Sequence, residues 1–176
     1  MTDTELFMAL AGIAGVFVGF GALIGATAGQ TEQWLVRNVV NQALMVIAVA
    51  LVPVVLGRYG LADHALWLVA SVLALVADWA VILLLHSRRE HMAFQVLRTR
   101  AQRIVMSVTF LVLEIPSQVA LLLVILGPVP DLEPALYLTT VVLWLFQAAV
   151  LLVMLVYARG HGAAEPRPVD GSYPAG

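Results

Sequence analysis

The sequence predicts an all-α integral membrane protein, a bundle of five transmembrane helices with the N-terminus outside and the C-terminus cytoplasmic. Three observations predict it. Hydrophobic residues make up 62 % of the 176 residues and charged residues 11 %, against about 50 % and about 25 % in soluble domains. Apolar runs long enough for a bilayer-spanning helix, about 20 residues, recur five times, at about 6–28, 38–57, 65–85, 104–126 and 135–157. The basic residues, all nine of them arginine, fall almost entirely on one side of the resulting topology. A soluble chain this small has too little interior to hide so much apolar surface, whereas lipid removes the need.

The first span is preceded by Asp3 and Glu5 and is longer than a secretory h-region, so the Ala26-Thr27-Ala28 sequence is read as helix rather than as a cleavage site. It is rich in small residues. Gly12, Gly15, Gly19, Ala22 and Ala26 form one stripe at spacings of three and four, and Gly21, Gly25 and Gly29 form a second. Small stripes let helix backbones approach closely in lipid. They predict packing either within the bundle or at an interface between subunits, and they predict a homo-oligomer.

In the second span Asn38, Asn41, Gln42 and Met45 share a face. The third carries Asp78, on a stripe with Ser71 and His64. Twelve Leu, Val and Ile residues in that span contribute about −4 to −7 kcal/mol to insertion, against about +3 kcal/mol for the aspartate. The span therefore survives its charge.

The loop after span three holds Arg88, Arg89, Arg98, Arg100 and Arg103. The positive-inside rule makes it cytoplasmic, which leaves Arg37, Arg159 and Arg167 inside and Arg58 outside. The same five arginines are candidates for anionic lipid head groups. Ser87 and Glu90 have capping-box spacing and predict a helix leading into span four. His86, Glu90 and His91 read as a solvated interfacial cluster, not a metal site.

Span four carries Glu114, and Arg103, Ser107, Glu114, Ser117 and Gln118 lie on one polar stripe. Pro116 lacks the backbone N–H that would bond the Val112 carbonyl. A proline-rich turn, Gly127-Pro128-Val129-Pro130 with Pro134, leads to span five, where Tyr137, Thr140, Trp144 and Gln147 recur at helical spacing. Trp34, Trp67 and Tyr59 fit interfacial anchors, and Trp79 and Trp144 fit packing positions. The tail, 158–176, is rich in Gly, Pro and Ala and is expected to be disordered.

Counting about 1.5 Å per residue, Asp78 lies about 10 Å from the inner end of its span, and Glu114 and Gln147 about 15 Å from theirs. Asn41 and Gln42 sit near the inner end of span two, and these groups make one candidate polar layer in the inner half of the bundle. Ionisable residues inside a membrane are functional candidates by default. No basic residue lies deep in any span, so either the carboxyl groups stay protonated and donate hydrogen bonds, or water or a cation reaches them.

The exclusions are equally informative. The chain has no cysteine and no lysine, which removes thiolate chemistry, Schiff bases and a phosphate-loop lysine. A net charge of −2 points away from nucleic acid. No metalloprotease motif, nucleophile elbow or triad is present, so neither an enzyme nor a cofactor is expected. The reading that follows is a small homo-oligomeric channel or transporter for protons or cations in a bacterial inner (plasma) membrane. Its pathway residues are Asp78, Glu114, Gln118, Gln147 and Asn41. The alternative is a non-transporting scaffold or accessory subunit whose polar layer is structural.

Overall fold

A computed structural model of the chain describes residues 3–28, 30–86 and 100–162. Five helices account for nearly all of them: α1 (Asp3–Gly25), α2 (Gln30–Arg58), α3 (Asp63–His86), α4 (Arg100–Leu126) and α5 (Glu133–Gly162), with a 3-10 turn at Pro130–Leu132 before α5. The all-helical membrane bundle expected from the sequence is what the chain forms. Four helices carry stretches long and apolar enough to cross a bilayer, Thr4–Gly25, Leu35–Arg58, Asp63–Leu83 and Pro130–Tyr157. In α4 the apolar stretch is shorter, Leu111–Leu126, because Gln102, Arg103, Ser107 and Thr109 occupy its first turns.

Helix ends depart from the apolar runs. The first helix ends at Gly25, and Ala26-Thr27-Ala28, expected as helix, forms a turn closed by Thr27 N–H to the Ile24 carbonyl and Ala28 N–H to the Gly25 carbonyl. The second helix starts at Gln30, upstream of its apolar stretch, because Gln30-Thr-Glu-Gln continues the helix in polar residues. The fifth runs to Gly162, five residues into the segment expected to be disordered; Ala158 and Arg159 favour helix, and the first proline comes only at Pro166. Arg88, Arg89, Arg98, Ser87, Glu90 and His91 lie outside the described residues, as do the side chains of His86, Arg100 and Arg103.

Helices α1, α3 and α5 run parallel, and α2 and α4 run against them. Phe7, Trp67 and Tyr137, from the first turns of α1, α3 and α5, stack as a trio at one end, with ring centroids 5.7–6.2 Å apart. At the opposite end, Leu35 and Val39 of α2 meet Leu151 and Leu155 of α5, with Ile24 of α1 against them. The middle is filled by Ala14, Val46, Val49, Ala50, Ala70, Ala74, Leu121, Val141 and Trp144. Large apolar side chains face outward on every helix, among them Phe20, Leu44, Leu83, Leu111 and Phe146. In water such a coat would drive association; against lipid tails it is the ordinary outer face of a membrane bundle.

Helix α1 packs most extensively against α2, and the two small-residue stripes part company here. A Cβ on Gly21 would come within 2.8 Å of Val40 Cγ2, and one on Gly25 within 2.8 Å of Val36 Cγ1. These two glycines set the approach of α1 to α2. Around Gly12, Gly15 and Gly19 there is open space, so that stripe belongs to the outer face of the chain.

Pro53 lies inside α2 and has no N–H for the carbonyl of Val49 one turn earlier. That carbonyl accepts a hydrogen bond from Tyr137 Oη of α5 at 2.8 Å. An unpaired carbonyl in lipid costs several kcal/mol, roughly, so the Tyr137 hydroxyl completes α2 from the neighbouring helix.

Candidate functional site

Four helices bring their polar faces together at one level. On α4, Glu114 and Gln118 are one turn apart and half-buried; Gln118 Nε2 donates to Glu114 Oε1 at 2.6 Å and also to Asp78 Oδ2 on α3. Gln147 on α5 donates from Nε2 to Glu114 Oε2 at 2.9 Å. Gln42 on α2 in turn donates to Gln147 Oε1 at 3.0 Å. The result is a continuous chain, Gln42 to Gln147 to Glu114 to Gln118 to Asp78, that links α2, α5, α4 and α3. Asp78 is 4 % exposed and Gln147 1 %.

The bonds converge on the carboxyl groups. Gln42 donates to Gln147 and Gln147 to Glu114, a head-to-tail pair whose members strengthen one another in a low-dielectric surrounding. From the other side Gln118 donates to both Glu114 and Asp78. Among the described residues neither carboxyl group has a salt bridge to a cation; the His64–Glu133 pair lies elsewhere.

Of the five residues expected along the pathway, Asp78, Glu114, Gln118 and Gln147 are brought into contact. The amide from α2 belongs to Gln42, not Asn41. Neighbouring residues on a helix point about 100° apart, and depth alone does not separate them. Helical spacing had already placed Gln42 on the shared face; only the contact with Gln147 selects it. Trp79, expected as a packing residue, is exposed, since Asp78 takes the inward position beside it. Trp144 is fully buried, as expected.

A second polar contact sits near the Phe7 end. His64 Nδ1 at the start of α3 lies 2.5 Å from Glu133 Oε1 at the start of α5. Glu133 is buried although it begins its helix, which composition and spacing do not reveal. Gly127, with φ +67°, passes close over the imidazole: a Cβ there would stand 3.3 Å from His64 Cε1. Only a residue without a side chain accepts both that φ and that approach.

The two polar contacts are in register. His64 precedes Asp78 by 14 residues, and Glu133 precedes Gln147 by the same interval. At about 1.5 Å per residue the contacts are about 21 Å apart along the parallel pair α3 and α5. Between them, one face of α5 presents Tyr137, Thr140 and Trp144, all fully buried. Thr140 Oγ1 donates to the Ser117 carbonyl of α4 at 3.2 Å, and Ser117 Oγ donates to the Glu114 carbonyl at 2.7 Å. Ser71 of α3 is also fully buried. The interior of the α3–α4–α5 side is thus a polar seam. Beyond Gln147 the α2–α5 contact turns apolar, with Leu35, Val39, Leu151 and Leu155. The chain matches no family model, no curated protein and no solved structure.

Proposed function

We propose that the chain is a small membrane channel or transporter for protons or cations, with Asp78 and Glu114 as the binding groups. Gln118, Gln147 and Gln42 are their amide partners. The observation that carries this reading is the pair of carboxyl groups held on one amide nitrogen, Gln118 Nε2, with Gln147 donating to Glu114 from the other side. These amides offer hydrogen bonds to the carboxyl oxygens. Two carboxylate charges without a cation are costly away from water. A proton or a cation relieves that cost, and gaining and losing one is the chemistry the cluster is suited to.

The proposal extends to assembly and orientation. The open stripe Gly12, Gly15, Gly19 suits contact with a second copy of the chain, and a homo-oligomer supplies the cross-section that five helices lack. The arginine distribution supports an N-terminus outside and a C-terminus inside, in a bacterial inner membrane. It also supports anionic lipid at the loop of Arg88, Arg89, Arg98, Arg100 and Arg103.

A second reading, a non-transporting scaffold, is favoured by the completeness of the pairing, since the cluster ties four helices together. Proton and cation flux into liposomes holding the purified protein separates the two, with Asp78→Asn and Glu114→Gln alongside. Flux in the native chain that either substitution abolishes, with folding and assembly intact, supports transport. No flux across a range of pH and voltage, together with lost assembly in the variants, supports the scaffold.

A further inference from the structure

Two buried polar atoms of the described residues have no hydrogen-bond partner within the chain: Ser71 Oγ and Trp144 Nε1. Both belong to fully buried residues, and both lie in the polar seam. Ser71 is seven residues after His64, and Thr140 is seven after Glu133, so Ser71 and Thr140 are level. Trp144 is one turn further along α5. Side chains on a helix lean toward its N-terminus, which brings the indole of Trp144 back toward the level of Ser71 and Thr140. Ala70 and Ala74 flank this part of α3 and are fully buried.

We infer that Ser71 and Trp144 hold internal water about two turns from the carboxylate–amide cluster, at the level of Ser71 and Thr140. The three groups supply what a buried water needs, two to four polar partners. Trp144 Nε1–H donates, the Ser71 hydroxyl both donates and accepts, and Thr140 Oγ1, whose proton is already given to the Ser117 carbonyl, accepts. The Phe7, Trp67 and Tyr137 trio lies between this level and the helix ends. The role of the water rests on the proposed function: it places a polar stop midway between the Gln147–Glu114 cluster and the His64–Glu133 contact, about 10 Å from each.

The test is magnetisation transfer from water in isotope-labelled protein reconstituted in phosphatidylcholine–phosphatidylglycerol bilayers. The Trp144 indole signal is identified by its loss in Trp144→Phe. The expected result is transfer from water to the Trp144 Nε1 proton well above that to the backbone amides of Val141 and Leu145. In Ser71→Val it falls to about half or less, because one partner of the water is gone. Should Ser71→Val fail to fold, the native protein decides alone. An indole as dry and as slow to exchange in deuterated water as the Val141 and Leu145 amides overturns the inference. Parallel flux measurements keep the two proposals apart. Flux with a dry indole removes the water site and leaves transport standing, and a hydrated indole without flux does the reverse.

Discussion

The hydroxyl of Tyr137 donates to the carbonyl of Val49 across 2.8 Å, and Val49 is the residue whose helical partner Pro53 removes. One side chain of α5 thus repairs a gap in α2. Tyr137→Phe keeps the ring against Phe7 and Trp67 and deletes only this bond. We expect it to cost about 1–3 kcal/mol, the penalty of leaving a buried acceptor unmade. In a Pro53→Ala background the same substitution is expected to cost less, because the alanine N–H returns to the Val49 carbonyl. A double-mutant cycle on thermal or denaturant unfolding in detergent checks it; additive effects would refute the coupling.

Gln118 is the hinge of the polar cluster, since its amide nitrogen serves both Asp78 and Glu114. Gln118→Leu is expected to destabilise by about 1–3 kcal/mol. Gln42→Leu, at the far end of the chain of bonds, should stay near the roughly 0.6 kcal/mol average of interhelical bonds in membranes. Unfolding of the two variants side by side gives the order, and a reversed order would show that the shared nitrogen does not organise the cluster.

The glycines of α1 divide into two kinds. Gly21→Ala and Gly25→Ala push a methyl group within 2.8 Å of Val40 and Val36, and a loss of about 1–3 kcal/mol is expected from overpacking. Within one chain Gly12→Ala and Gly15→Ala meet nothing, so the stability of the dissociated chain should be unchanged or rise by up to about 1 kcal/mol of helix propensity. Gly15→Leu then probes assembly. A subunit interface at the open stripe predicts a smaller oligomer by light scattering with an unchanged helical spectrum.

The His64–Glu133 contact buries a carboxyl group at the start of α5 with a half-exposed imidazole as partner. Truncating His64→Ala leaves Glu133 buried without it, and we expect a loss of about 1–2 kcal/mol, discounted for the exposed half of the pair. Glu133→Gln, which keeps the shape and one acceptor, should cost less. A coupling below about 0.5 kcal/mol in the cycle of His64→Ala with Glu133→Ala would show that the contact contributes nothing.

The amino-acid sequence by itself determined the solvent and the element type. Apolar runs of the length of a bilayer, in a chain with 11 % charged residues, leave the backbone no partner but itself, and a helix is the local answer. It also put Asp78, Glu114 and Gln147 at overlapping depths in the inner half of the bundle, because depth in a helix is a linear count of residues. Only the tertiary structure decided which neighbours touch. Rotation about a helix axis and the choice of facing helix are set by packing, so Gln42 replaced Asn41, Trp79 turned outward, and Gly21 and Gly25 met α2 while Gly12, Gly15 and Gly19 did not. The match of Tyr137 to the carbonyl freed by Pro53, and of His64 to a buried Glu133, joins residues 88 and 69 positions apart. Periodicity within one helix carries no information about a partner so distant, since that contact exists only once the helices have packed.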